Sequence, residues 1–280
     1  MENAQAKALW AEICAEAQAI QAREPMLTEL LHHAILDCRD LADGLARLIA
    51  ARLANAVLGR EPLYQMCISA YREDDIIEAV CADFRAVCAR DPASAQLTIP
   101  FLYLKGAHAL EAWRVAHFLY TRGRVDVARY LQSVISDVFA VDIHPAARIG
   151  KGIMFDHATG IVIGETAVVG DNVSILQDVT LGGTGKENGD RHPKVGSGVM
   201  IGAGAKVLGN IQIGEGAKIG AGSVVLHAVM PHTTVAGIPA RVVGKPREAE
   251  PALAMDQELD NANLQDWCTL GCGIICKKDV

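Results

Sequence analysis

The stretch Val195–Val225 reads VGSGVM IGAGAK VLGNIQ IGEGAK IGAGSV V, and its aliphatic residues Val195, Ile201, Val207, Ile213, Ile219 and Val225 stand six apart. Working backward, the same spacing runs through Ile163, Val169, Ile175 and Leu181, and before them through Ile143, Ile149, Phe155 and Ile161. Four places after most of these positions sits a small or β-branched residue, such as Ala167, Val173, Val179, Ala205, Ala217 or Ser223. A glycine often follows directly, as at Gly164, Gly170, Gly202, Gly214 and Gly220. This period matches neither a helix, at about 3.6, nor a strand, at about 2. It fits a short strand plus a turn, with three such units closing one triangular coil. One coil cannot bury its own apolar face, so the coils must stack over a shared core. The expected fold of this part is a left-handed parallel β-helix of hexapeptide repeats.

The period breaks twice. The phase slips between Ile161 and Ile163, so that Phe155 to Ile163 spans eight residues. Leu181 to Val195 spans fourteen, which is one period plus an eight-residue insertion. Repeat arrays place their insertions on one face, often the binding face. Asp156 and His157 lie at the first break, and Arg191 and His192 lie in the second.

Outward from the repeats the composition changes sharply. Of the 26 glycines, four lie in residues 1–140 and twenty in 141–247. The chain of 280 residues therefore divides into a helical part, 1–140, a β-helix, 141–247, and a tail, 248–280, an α+β organisation. The net charge of −7 arises in the helical part and the tail, while the repeat part is slightly basic. That distribution speaks against nucleic acid and suits a small anionic ligand on the repeats. No run of apolar residues is long enough for a membrane span, and the N-terminus lacks a signal-type apolar core, so the expected location is cytoplasmic. In that setting Cys14, Cys38, Cys67, Cys81 and Cys88 read as reduced, buried small hydrophobes.

The helical part reads as a bundle. One helix covers residues 1–23, and another runs from 26 to 58 past Gly44. A capping box at Asp75 and Glu78 opens a third, which runs to Arg90 and is broken by Asp91-Pro92. Two more cover 107–122, with Gly123 as the residue beyond the cap, and 125–140. Nothing in this bundle alone points to chemistry, and it reads as an oligomerisation domain.

Candidates for chemistry are Asp142, Asp156, His157, Arg191 and His192, with Asp91 as an outlier. Histidine titrates at about 6.5 and can act as a general base near neutrality. Asp142 precedes His157 by fifteen residues, close to one coil, and a carboxylate on the other ring nitrogen would fix the tautomer. The spacing serves equally a turn histidine satisfied by backbone. Arg191 could grip a carboxylate bidentately, or be an ordinary loop arginine. His227 and His232, five apart, with His157 or His192, leave a β-helix carbonic anhydrase with bound metal as a rival.

Several motifs resemble serine O-acetyltransferase. They are Asp142-Ile143-His144-Pro145, Phe155-Asp156-His157-Ala158-Thr159-Gly160, Leu181-Gly182-Gly183-Thr184-Gly185 and Asp190-Arg191-His192-Pro193-Lys194. Val199–Gly204, Ala217–Val225, Pro231–Thr234 and Ala236–Arg241 are similar too, as is Arg90-Asp91-Pro92 in the helical part. The six-residue repeat alone marks only a broad acyltransferase superfamily; the stretches around His157 and Arg191 are far more specific. The resemblance implies acetyl transfer from acetyl-CoA to the hydroxyl of L-serine in cysteine synthesis, without a metal, with cysteine as a feedback inhibitor. It implies that His157 is the general base and Asp142 its partner. Asp91, beside Pro92, and Asp156 would receive the serine ammonium, and Arg191 with His192 its carboxylate. Acetyl-CoA would lie between neighbouring β-helices of a trimer or a dimer of trimers. Backbone at Gly183, Thr184, Ala203, Gly204, Ala221 and Gly222 would face its pantetheine arm, and Lys218 and Lys245 its phosphates. A related enzyme acting on homoserine or a sugar is the alternative.

The tail is read in the same light. Gly271-Cys272-Gly273-Ile274 resembles a family ending that inserts into O-acetylserine sulfhydrylase, but six more residues follow, to Val280. Cys268, Cys272 and Cys276 recur every four residues; without a fourth ligand they read as free thiols.

Overall fold

A computed structural model of the chain describes residues 3–185 and 188–259; the tail motifs lie outside them. The helical part holds α1 (Ala4–Arg23), α2 (Thr28–Leu31), α3 (Leu41–Leu53), α4 (Arg60–Tyr71), α5 (Asp74–Arg90), α6 (Thr98–Leu102), α7 (Lys105–Thr121) and α8 (Val125–Phe139). Asn3 caps α1 through its side chain. Gly123, at φ +79°, follows α7 in a left-handed conformation, as its position beyond the cap requires. No described helix is long and apolar enough to cross a membrane.

The region read as one helix from 26 to 58 is instead broken. A 3₁₀ turn at Pro25–Leu27, α2 and a π turn at His32–Leu36 precede α3. Asp40 ends the irregular run by turning extended and accepting from the Asp43 N–H, a cap that outcompetes the continuing apolar pattern. Asp43 is itself buried beneath Arg39, Arg47 and the Tyr64 hydroxyl. The expected capping box at Asp75 is likewise displaced: α5 starts at Asp74 behind Glu73, with no side-chain cap.

From Val141 the chain winds into a triangular prism with three parallel faces. Face one carries Val141–Ile143, Ile161–Ile163, Thr180–Gly182, Lys206–Leu208 and Val224–Val225. Face two carries Arg148–Ile149, Val168–Val169, Lys194–Val195 and Gln212–Ile213. Face three carries Met154–Phe155, Ser174–Ile175, Met200–Ile201, Lys218–Ile219 and Thr234–Gly237, closed by the antiparallel strand Ala240–Gly244. The aliphatic period is the inward row: Ile163, Leu181, Val207 and Val225 stack on face one and are buried.

The register locates both breaks. Val141 stacks on Ile161, so the first coil takes twenty residues, two more than the eighteen that separate Ile163 from Leu181. Leu181 stacks on Val207, a coil lengthened by eight. The two extra residues fall at the corner between faces three and one, at 156–160. The eight fall at the corner between faces one and two, at 183–193.

The outward rows differ by face. On face three Met154, Ser174, Met200, Lys218 and Thr234 are buried, because α5 and α7 and the segment from 248 to 259 lie against them. That segment includes α9 (Pro251–Ala254), and the Ser174 hydroxyl donates to the Ala252 carbonyl at 2.9 Å. On face one the outward row is Asp142, Val162, Thr180, Lys206 and Val224, none of it buried, with Val162 39% exposed. Bundle and prism are joined by a buried ionic link. Arg114 bonds Asp83 at 3.0 Å and the Gly150 carbonyl at 2.8 Å, while Asp83 accepts from the Ile153 N–H at 2.7 Å. The five described cysteines are free, and burial pushes the Cys67 and Cys81 thiols up to about 12, too high for reactive thiolates.

Candidate functional site

The corner between faces three and one is shaped by backbone. His157 and Ala158 are consecutive left-handed residues, at φ +54° and +61°, followed by Gly160 at +81°. Non-glycine residues rarely adopt this region, and a pair of them persists only where the surroundings enforce it. Here the Gly160 N–H donates to the Ala140 carbonyl at 2.7 Å, and the Asp178 N–H of the next coil donates to the Thr159 carbonyl at 2.7 Å. The start of α7 presses on the same turn. A Cβ on Gly106 would meet the Phe155 carbonyl oxygen at 2.3 Å, so only glycine lets the helix approach this closely. Lys105 bonds the Thr159 hydroxyl. The result holds the His157 imidazole away from the prism, 77% exposed, with Asp156 at 3.9 Å from its Nε2.

Asp142 lies on the adjacent outward row of face one, opposite Val162. Its Oδ1 accepts from Gln132 Nε2 at 2.7 Å, and within the chain it does not bond His157. Gln132, on α8, gave no signal in the sequence.

The corner between faces one and two is built from side chains. Arg191 Nη2 pairs with Glu165 at 2.8 Å and Nη1 donates to the Gly189 carbonyl at 3.1 Å. That bond holds the Glu165 carboxyl below its ordinary range. His192 is buried, and its ring lies flat over Gly164, where a Cβ would come within 2.0 Å of it. Burial, then the Arg191 charge, holds its pKa below the usual histidine value. Lys194 Nζ closes the loop on the His192 carbonyl at 2.6 Å and Asp190 at 2.6 Å. His144 follows the first strand of face one at this corner, and burial holds its pKa below the usual histidine value. At this corner the sequence reading missed Glu165 and Thr166. They sit inside regular repeats, and only the stacking of coils brings them to the insertion.

The remaining candidates divide between these places. Ala203, Gly204, Ala221 and Gly222 continue the His157 corner, joined by backbone bonds from Gly204 N–H to Gln177 and from Gly222 N–H to Ala203. Gly183 and Thr184 lie at the other corner, where a Cβ on Gly183 would meet Arg191 at 3.4 Å. Asp91 caps its own loop, accepting from the Ala93 N–H and the Ser94 hydroxyl, just before Pro92 breaks the chain direction. Its neighbour Arg90 reaches Ser174 on face three at 3.1 Å. Lys218 and Lys245 line one small cleft with Arg247, Asp256 and Glu258, and Lys218 donates to the Glu258 carbonyl at 2.5 Å. Among the described residues no group of three His, Cys, Asp or Glu side chains could hold a metal. A cleft of about 540 Å³ lies between α5, α7 and face two and contains none of these candidates.

Face one therefore carries ionisable groups at both of its edges: an exposed imidazole with a carboxylate at one, and a guanidinium–imidazole pair at the other. A hexapeptide-repeat prism with this equipment belongs to the acyltransferases built on that fold, and a bacterial transferase hexapeptide model matches residues 192–227. A model of the serine acetyltransferase N-terminal region matches residues 9–112. The chain is 52% identical to the serine acetyltransferase of Salmonella typhimurium over 90% of its own length and 93% of that protein's. A solved serine acetyltransferase in complex with cysteine is 52% identical and superimposes with a TM-score of 0.87 over 90% of this chain and 98% of that one. The Brucella abortus enzyme in complex with coenzyme A is 50% identical, with a TM-score of 0.83 over 85% and 95%. The chain belongs to the serine acetyltransferase family and is an acyltransferase.

Proposed function

We propose that this chain is a cytoplasmic enzyme that transfers the acetyl group of acetyl-CoA to the hydroxyl of L-serine, giving O-acetyl-L-serine for cysteine synthesis. The observation that carries the reading is the pair of equipped corners flanking face one, because a zwitterionic alcohol needs a base at its hydroxyl and a donor fork at its carboxylate. In this reading His157 removes the hydroxyl proton as the oxygen attacks the thioester carbonyl. The tetrahedral intermediate then expels the coenzyme A thiolate, which takes the proton back from the imidazolium. Asp142 orients the ring and stabilises its charged form. Asp91, with Pro92 setting its loop, and Asp156 receive the ammonium group, and Arg191 with His192 hold the carboxylate.

The two corners of one chain point to opposite edges of face one, so the site is completed by a second copy in a trimer or a dimer of trimers. The open outward row, with the half-exposed Val162, supports such packing. Between copies, Ala203, Gly204, Ala221 and Gly222 would meet the pantetheine arm, with Gly183 and Thr184 opposite. Lys218 and Lys245 would take the phosphates once Asp256 and Glu258 release Lys218. Asp142 would exchange Gln132 for His157 in the working complex. The relatives solved with coenzyme A and with cysteine support the co-substrate and feedback inhibition by L-cysteine. Binding of O-acetylserine sulfhydrylase through the C-terminal tail, 248–280, completes the proposal.

Thiol release from acetyl-CoA, compared with serine, homoserine and threonine as acceptors, tests it. Serine should be strongly preferred; equal turnover with homoserine would overturn the acceptor assignment.

A further inference from the structure

The Thr166 hydroxyl is the centre of the Arg191 corner. Its Oγ1 accepts from the backbone N–H of Arg191 at 3.0 Å and of His192 at 3.1 Å, and lies 2.9 Å from His192 Nδ1. The Thr166 backbone N–H also reaches that Nδ1, at 3.2 Å. A backbone N–H can only donate, so Nδ1 is the bare ring nitrogen and Nε2 carries the proton. Gly164 leaves room for the ring, Glu165 holds the guanidinium, and Lys194 bonds the Thr166 carbonyl at 3.0 Å. Three consecutive residues of one regular turn thus hold the two reading side chains of the inserted loop.

We propose that Thr166 is a positioning residue for acceptor recognition. It fixes Arg191 and His192 so that a guanidinium fork and a neutral imidazole Nε2–H form a ready set of donors for the acceptor carboxylate. Donors held in place before binding need no reorganisation, and displacement of such a group by about 1 Å can cost on the order of a hundred-fold. Thr166 itself does not touch the acceptor. The proposal rests on the reading of Arg191 and His192 given above.

The test uses the full chain with Thr166→Val, Thr166→Ser and Arg191→Lys. Thr166→Val should raise KM for serine by about ten- to a hundred-fold, with KM for acetyl-CoA little changed, and Thr166→Ser should restore most of the loss. Nitrogen NMR of labelled histidine, with the His192 signal assigned by its loss in His192→Gln, should show a bare Nδ1 and a protonated Nε2. An unchanged serine KM in Thr166→Val, or a protonated Nδ1 in the unaltered enzyme, overturns the positioning role. If Arg191→Lys leaves serine KM unchanged, the carboxylate reading itself fails. If Arg191→Lys is impaired while Thr166→Val is normal, only the positioning role falls.

Discussion

The two corners that flank face one solve opposite problems with opposite means. At the His157 corner the main chain does the holding: two left-handed residues, a glycine and backbone bonds to the next coil leave the imidazole unburied. At the Arg191 corner the side chains do the holding, and His192 is buried among them. A group that must exchange a proton with a substrate cannot be saturated by the protein. A group that must recognise a charge works best when its geometry is set beforehand. The difference teaches which corner is expected to govern turnover and which the binding of acceptor.

The largest effect that separates the corners is expected at the first. His157→Ala should lower kcat by about 10²–10⁴ with KM for acetyl-CoA little changed, measured by steady-state thiol release. Near-normal turnover would remove the imidazole as the base and dissolve the contrast. Next comes Asp142→Asn, which keeps a partner for Gln132 and so leaves the fold intact. It should cost roughly 10–10² in kcat and alter the pH–rate profile, since the imidazolium loses its counter-charge; an unaltered profile would detach Asp142 from the reaction. At the second corner Arg191→Lys should raise KM for serine by roughly ten-fold while sparing kcat, because a point charge cannot reproduce a planar fork. A loss confined to kcat would show that the second corner also serves the chemistry.

How far these corners were legible in the sequence follows from the same contrast. The break between Phe155 and Ile163 and the insertion after Leu181 are visible as faults in a strict period, and they lead directly to His157, Arg191 and His192. Glu165 and Thr166 are not visible, because they occupy ordinary turn positions of a coil without a fault. Their role appears only when the coils stack and the insertion brings Arg191 beside Thr166, 25 residues earlier. Gln132 is hidden for the same reason, as its contact with Asp142 depends on how α8 enters the prism. In the bundle the period-3.6 pattern ran unbroken through Asp37–Asp40. The break is made by the Asp40 cap, and the buried carboxylate of Asp43 behind it gathers Arg39 and Tyr64 from either side in sequence. Local pattern predicts repeats well and predicts tertiary polar clusters poorly.

The smallest effect concerns the cost of the prebuilt corner itself. The bond from Arg191 holds the Glu165 carboxyl below its ordinary value, against a partial burial that raises it. A carboxyl lowered on folding stabilises the native state above its unfolded value, near 4.5, and loses that contribution as pH falls through the lower folded value. Glu165 is 36% exposed, so solvent screens the pair and little stability is at stake. Glu165→Gln should therefore lower Tm by less than about 2 °C at pH 7 and by less still as the pH is taken down through the acid range, in thermal melts at low salt. A larger loss, or one that persists in acid, would mean that Glu165 supports the loop by packing and not by charge. In that case the guanidinium would be steadied by its bond to the Gly189 carbonyl, and the second corner would owe its order, like the first, to the main chain.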